Sequence, residues 1–199
     1  MPYGLPNVSY IGFPVSVLCP GHSGLGFREA HRPDAPALIA HFRDLDREDR
    51  RKRFCATLTD AAIERHVDGL WGRRGIVLVA HDGPLWPSPL HRAGPIRAVA
   101  ELSMDDREAE LGISVDPSLR RRGVGTYLIQ TAASLLASRG IREIRAYTIP
   151  GNTSFIALAR AAGARVESGP DEIEVHFDVP KLHRAYLRRR AVQAFRPAA

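Results

Sequence analysis

This chain is sparing with the residues and patterns that usually give a function away. It has two cysteines in 199 residues, Cys19 and Cys55, with neither Cys-x-x-Cys nor metal-ligand spacing. That argues against a disulfide scaffold and favours a reducing compartment. No apolar run approaches the ~18 residues needed to span a bilayer. The apolar stretch near the N-terminus has no basic segment before it, so no secretory signal is expected and the cytoplasm is the default location. Eight histidines (His22, His31, His41, His66, His81, His91, His176 and His183) are dispersed. They form no His-x3-His or His/Cys group, so no metal is expected. A Gly-x-Ser-x-Gly nucleophile elbow is missing, as are internal repeats and low-complexity stretches.

What remains is ordinary for one globular domain: 44% hydrophobic and 25% charged residues, in a chain long enough for one sizeable core. The net charge of +6 suggests a polyanionic partner until it is mapped. Six basic residues (Lys181, Arg184, Arg188, Arg189, Arg190 and Arg196) lie between Lys181 and Ala199, where there is no acid, and the rest of the chain holds 22 basic against 22 acidic residues. The excess belongs to that tail. Around Tyr186 and Leu187 it can form a short basic helix. It reads first as a solvated terminal segment, and otherwise as a contact for an acidic partner, a nucleic acid or a neighbouring copy.

Residues 1–23 carry four prolines and three glycines without sustained periodicity and read as an N-terminal extension. A first strand is expected near Gly24 to Glu29, a helix from Pro36 to Arg43, and a charged turn or helix from Asp46 to Phe54. Leu58 to Trp71 predicts a helix capped by Thr59, with Ile63, Val67 and Leu70 on one face. Gly75 to Ala80 predicts a buried strand, followed by a loop through Gly83, Pro84, Pro87 and Pro89. Ile96 to Met104 predicts the third strand, turning at Asp105-Asp106 into a fourth from Ala109 to Asp116. Trp71 and Trp86 read as core or loop packing.

The most informative segment is Arg120-Arg121-Arg122-Gly123-Val124-Gly125, between that fourth strand and an amphipathic helix from Val124 to Ser138. Val124, Leu128, Thr131 and Leu135, with Tyr127, Ala132 and Leu136, fall on one stripe of this helix, and Gly140 suits its C′ position. A strand, a glycine-rich turn and a helix start make a nest of unpaired amides at the positive end of a helix dipole, which binds phosphate. Two named phosphate patterns fail here. No lysine follows the glycines as a P-loop requires, and Leu128 stands where a dinucleotide fingerprint needs its third glycine.

The flanks carry a resemblance. Ala109-Glu110-Leu111-Gly112-Ile113-Ser114-Val115-Asp116-Pro117 resembles the fourth strand of the GCN5-related N-acetyltransferase (GNAT) superfamily, and Arg120-x-x-Gly123-x-Gly125 its pyrophosphate loop. Ile144 to Thr148 resembles its fifth strand, and Asn152-x-x-x-Ile156-x-Leu158-x-x-x-x-Gly163 its next helix. The resemblance spans about residues 24 to 178, most strongly 96 to 164. It implies an α/β (α+β) GNAT fold: a mixed, mostly antiparallel sheet of six or seven strands flanked by about four helices. The chain then divides into an extension (1–23), an acetyltransferase domain (24–180) and a basic tail (181–199).

By that resemblance the co-substrate is acetyl-CoA, and the reaction moves its acetyl group to a primary amine, of a protein lysine or of a small molecule. The expected partners are acetyl-CoA and an amine-bearing acceptor, with a homodimer left open and neither membrane nor nucleic acid required. Ile113, Ser114 and Val115 would carry the pantetheine arm. Arg120, Arg121, Arg122, Gly123, Val124, Gly125 and Thr126 would hold the pyrophosphate, with Asn152 and Ser154 alongside. Amides around Ile113 are the expected oxyanion donors.

An attacking amine must be deprotonated, and Glu110 and Glu101 compete as its base, with a water chain or no base as the alternative. Many relatives place a tyrosine seven residues after the helix asparagine to protonate the departing thiolate. Here that position is Ala159, and Ala164 replaces the usual phenylalanine, so Ser154 or water is left for that role. Some protein-lysine acetyltransferases also lack the tyrosine, and Asp46 to Phe54 resembles the segment before their second helix. The rival reading is a noncatalytic acyl-CoA sensor, or a module docking a nucleic acid or partner through the tail.

Overall fold

The computed structural model describes residues 24–71, 74–83 and 94–194. The N-terminal extension, most of the loop through Pro84, Trp86, Pro87 and Pro89, and Arg196 lie outside the described residues. Seven strands form one sheet: β1 (Leu25–Glu29), β2 (Gly75–Asp82), β3 (Ile96–Asp105), β4 (Glu108–Val115), β5 (Glu143–Thr148), β6 (Arg165–Ser168) and β7 (Ile173–Asp178). Their order is β1-β2-β3-β4-β5-β7-β6, and every pair is antiparallel except β4 with β5. Helices α1 (Ala35–Asp44), α2 (Arg47–Phe54), α3 (Asp60–Leu70), α4 (Val124–Ala137), α5 (Thr153–Ala161) and α6 (Val179–Ala194) flank it.

Strand β2 shows why its sequence is a continuous apolar run. It is covered on both faces, so both alternating sets must be apolar. Ile76, Leu78 and Ala80 pack with Leu128, Ile129 and Leu136 of α4. Val77 and Val79 pack with Leu38 and Phe42 of α1 and Ile63 and Val67 of α3. Each such side chain contributes about 1.5–3 kcal/mol on burial. Local signals start the helices on this second face. Asp46 accepts from the Asp49 amide at 2.7 Å and caps α2, and Thr59 accepts from the Ala62 amide at 3.3 Å and caps α3.

Three expectations need correction. Six α-helices are present among the described residues, against about four. The β3–β4 turn falls at Asp106-Arg107, because β3 pairs through to Asp105 opposite Glu108. The segment from Lys181 to Tyr186 is no solvated tail. It belongs to α6, and Val179, Leu182 and Tyr186 are buried in the main core, which α4 also builds. A boundary at residue 180 therefore cuts through a packed helix. Its apolar residues do recur every three to four positions, but arginines surround them.

Candidate active site

Parallel pairing of β4 with β5 spans only Glu108 to Glu110 against Glu143 to Arg145. Beyond Glu110 the strands part, and the gap between them holds the site. Two cavities open in it, of about 460 Å³ and 340 Å³. Lys52, Arg53, Ile113, Asn152 and Phe155 line both, so the two adjoin.

The larger cavity runs from the gap to the start of α4. Ile113, Ser114 and Val115 form its strand wall, and Arg120, Arg121, Gly123, Gly125 and Thr126 its far end, with Asn152 and Ser154 beside them. The turn is shaped for an anion. Arg121 (φ 59°) and Gly123 (φ 86°) are both left-handed, a conformation glycine adopts without penalty. The first backbone bond of α4 is from the Tyr127 amide to the Gly123 carbonyl at 2.9 Å, so the preceding amides emerge from the helix end. Leu45, Leu119 and Leu158 supply apolar wall. This set fits a phosphate-bearing molecule with an extended, amide-containing arm.

Not every expected residue joins it. Val124 is buried in the core, and neither it nor the exposed Arg122 lines the cavity. Arg120 is held by protein: its Nη2 is 2.5 Å from Asp49 Oδ2 and its Nε donates to the Val115 carbonyl at 3.1 Å. Asn152 caps α5 through the Phe155 amide at 3.3 Å, and its amide donates to Thr148 Oγ1 at 2.8 Å. The Ser154 hydroxyl donates to Asn152 Oδ1 at 3.2 Å.

The smaller cavity is lined by Glu110, Tyr147 and Glu172 as well as Cys55, Phe54 and His66. Glu110 is exposed, and neither its carboxylate nor that of Glu172 has a hydrogen bond or ion pair among the described residues. Burial raises the Cys55 thiol, with Glu172 and Glu110 adding to the effect, so it stays protonated at neutral pH.

Glu101 corrects the expectation that it faces this cleft. It sits opposite Gly112 in the β3–β4 register, but its carboxylate is 2.6 Å from Arg53 Nη2 and 2.9 Å from His66 Nε2. It lines neither cavity. Burial pushes this carboxyl up, yet the Arg53 charge and the His66 hydrogen bond outweigh that and hold it below the usual range. A carboxylate so paired is a poor proton acceptor.

Ala159, fully buried, lines neither cavity. The Tyr147 hydroxyl donates to Glu174 Oε1 at 3.3 Å. Ser114, expected beside the arm, has a partner that spacing did not reveal: His41 Nε2 lies 2.7 Å from its hydroxyl and His41 Nδ1 3.1 Å from the Ile96 carbonyl. The two contacts together fit a neutral ring that donates from Nδ1 to the carbonyl and accepts at Nε2. Among the described residues one His–carboxylate group also assembles, Glu167, Glu174 and His176. Arg165 pairs with Glu167 and Glu143 with His176.

Residues 81–164 match the acetyltransferase (GNAT) family model. The GNAT domain of S. lividans PAT is similar in structure, with TM-score 0.63 at 20% identity over 76% of this chain and 89% of that one. Spermidine N-acetyltransferase from Vibrio cholerae, in complex with CoA and spermine, gives 0.62 at 16% identity over 81% and 99%. The ribosomal-protein-S18-alanine N-acetyltransferase from Escherichia coli gives 0.58 at 18% over 78% and 94%. The family match falls on the strand, turn and helix that build the larger cavity, and the chain shares the fold of these solved acetyltransferases.

Proposed function

We propose that this protein transfers the acetyl group of acetyl-CoA to a primary amine that enters through the smaller cavity, with Glu110 as the base. The observation that carries this is the pair of adjoining cavities at the β4–β5 gap, which share Arg53 and Ile113 in their walls. A donor lying in the larger one, with its pyrophosphate against the Arg121–Gly123 turn, would present its thioester at the junction by Ile113. The domain that does this is read as residues 24–194, since α6 is part of its core.

Ile113 and its neighbouring amides would donate to the oxyanion as the amine attacks, at order 10²–10³ in rate for a well-placed donor. An alkylammonium near ~10.4 must first lose a proton. Glu110, exposed in the smaller cavity, can accept it directly or through one water, an effect of ~10²–10⁴. Glu110 and Glu172 together favour a cationic acceptor. A lysine side chain and a polyamine both meet that description, and the similar spermidine N-acetyltransferase from Vibrio cholerae was solved with spermine.

The test is release of free CoA with lysine peptides, polyamines and aminoglycosides. Glu110→Gln should lower kcat by about 10² or more while acetyl-CoA still binds. An unchanged kcat removes Glu110 from the reaction. Binding of acetyl-CoA without turnover of any amine favours the noncatalytic sensor.

A further inference from the structure

Among the described residues no tyrosine stands free for the departing sulfur: Ala159 is buried away from both cavities, and the Tyr147 hydroxyl, in the smaller cavity, donates to Glu174. Another group stands at the junction. Arg53, in the last turn of α2, lines both cavities, although its side chain is only 9% exposed. Its guanidinium covers Gly112 so closely that a Cβ there would collide with it. Glu101 holds Nη2 at 2.6 Å, and the Phe54 and Phe42 rings lie 4.8 and 5.8 Å from its central carbon. The Nε–H is buried and finds no acceptor among the described residues. A desolvated cation with an unused donor costs free energy that an anion at the junction would recover.

We propose that Arg53 is a catalytic residue that receives the CoA sulfur as a thiolate. This rests on the acetyl-transfer reading above. The amine lone pair forms the new C–N bond and the proton on nitrogen passes to Glu110 or water. The C–S bond then breaks, and sulfur leaves with the electron pair as CoA thiolate beside the guanidinium. Arginine keeps its proton throughout, so the thiolate is stabilised by charge and hydrogen bonding, and water takes no part in neutralising it.

The test compares CoA with desulfo-CoA, which lacks the thiol, by calorimetric titration of the full chain from pH 6 to 9.5. The groups facing Arg53 or lining the junction are Glu101 (β3), His66 (α3), His41 (α1), Glu110 (β4), Glu172 before β7, and Lys52 and Cys55 beside it. They are common to both ligands, so the ratio of the two affinities isolates the sulfur. A thiol whose pKa falls on binding gains affinity as pH rises from its bound value to its free value near ~8.5. The gain is about tenfold for each pH unit between those two values.

The wild-type ratio should therefore rise about tenfold or more and level off above that pH. Arg53→Lys should keep part of the rise, and Arg53→Gln should abolish it while desulfo-CoA still binds. Arg53→Lys should also lower kcat by about tenfold or more with little change in the acetyl-CoA KM. A wild-type ratio independent of pH overturns the role of Arg53 and leaves the proposed function standing. Failure of both ligands to bind overturns the two together.

Discussion

At the scale of single residues, the site depends on pairs that the sequence separates widely. Arg53 sits in a charged run that reads as a solvated helix, and Glu101 on a strand where either face was open to it. Only the register that sets Gly112 opposite Glu101, and the absence of a side chain on Gly112, lets the guanidinium reach the carboxylate. Glu101→Ala should therefore cost about 3–5 kcal/mol, as expected when one partner of a buried pair is removed. Urea denaturation would measure it, and a loss within about 0.5 kcal/mol, the range of ordinary surface substitutions, would show that the pair is solvated. The phosphate turn, in contrast, was legible because its signal is local. Gly123 needs a left-handed backbone and an open approach, and Gly123→Asp adds an anion as well as strain. This variant should lose the thermal protection that saturating acetyl-CoA gives the wild type, about 2.7 kcal/mol at one hundred times Kd. Equal protection of both would place the donor elsewhere.

Among the elements, helix α4 and strand β2 were readable because apolar periodicity and burial agree in them. Helix α6 was not. Its buried Val179, Leu182 and Tyr186 alternate with Lys181, His183 and Arg184 and are followed by Arg188-Arg189-Arg190, and the charge masks the apolar stripe. The packing says which residues matter: Leu182→Ala and Tyr186→Ala should each destabilise by about 2–5 kcal/mol. Leu187→Ala should change little, since Leu187 is 50% exposed. Chemical denaturation of the three variants separates a packed helix from an appended tail, which would leave all three alike. Truncation after residue 180 should likewise give an unfolded or aggregated product, so a loss of partner binding in that truncation would say nothing about docking.

For the whole molecule, acid should find the weak points in a definite order. Burial keeps His41 below its ordinary value of 6.5, so the unfolded chain binds this proton before the folded one does. Stability is then fully present above about pH 6.5 and declines as pH falls below it. Glu101, held below its ordinary value of 4.5, is ionised in both states above that pH. Its contribution fades as pH drops from there through the folded value. Unfolding free energy measured from about pH 8 to 4 should show both declines, and His41→Gln should flatten the upper one. A wild-type curve flat between about pH 7 and 5 would mean that the imidazole takes up its proton at the same pH in the folded and the unfolded chain.

The parting of β4 from β5 has a consequence for the protein without its donor. Two strand edges face each other across a gap in the middle of the sheet, with backbone donors and acceptors that no neighbouring strand takes up. Sheets ordinarily confine such edges to their margins and shield them there, because an open edge recruits other chains. Here the shield is α2, drawn over the opening by Asp49 to Arg120, Arg53 to Glu101 and the Lys52 carbonyl to Thr148. The helix that borders the reaction thus also acts as a guard against self-association.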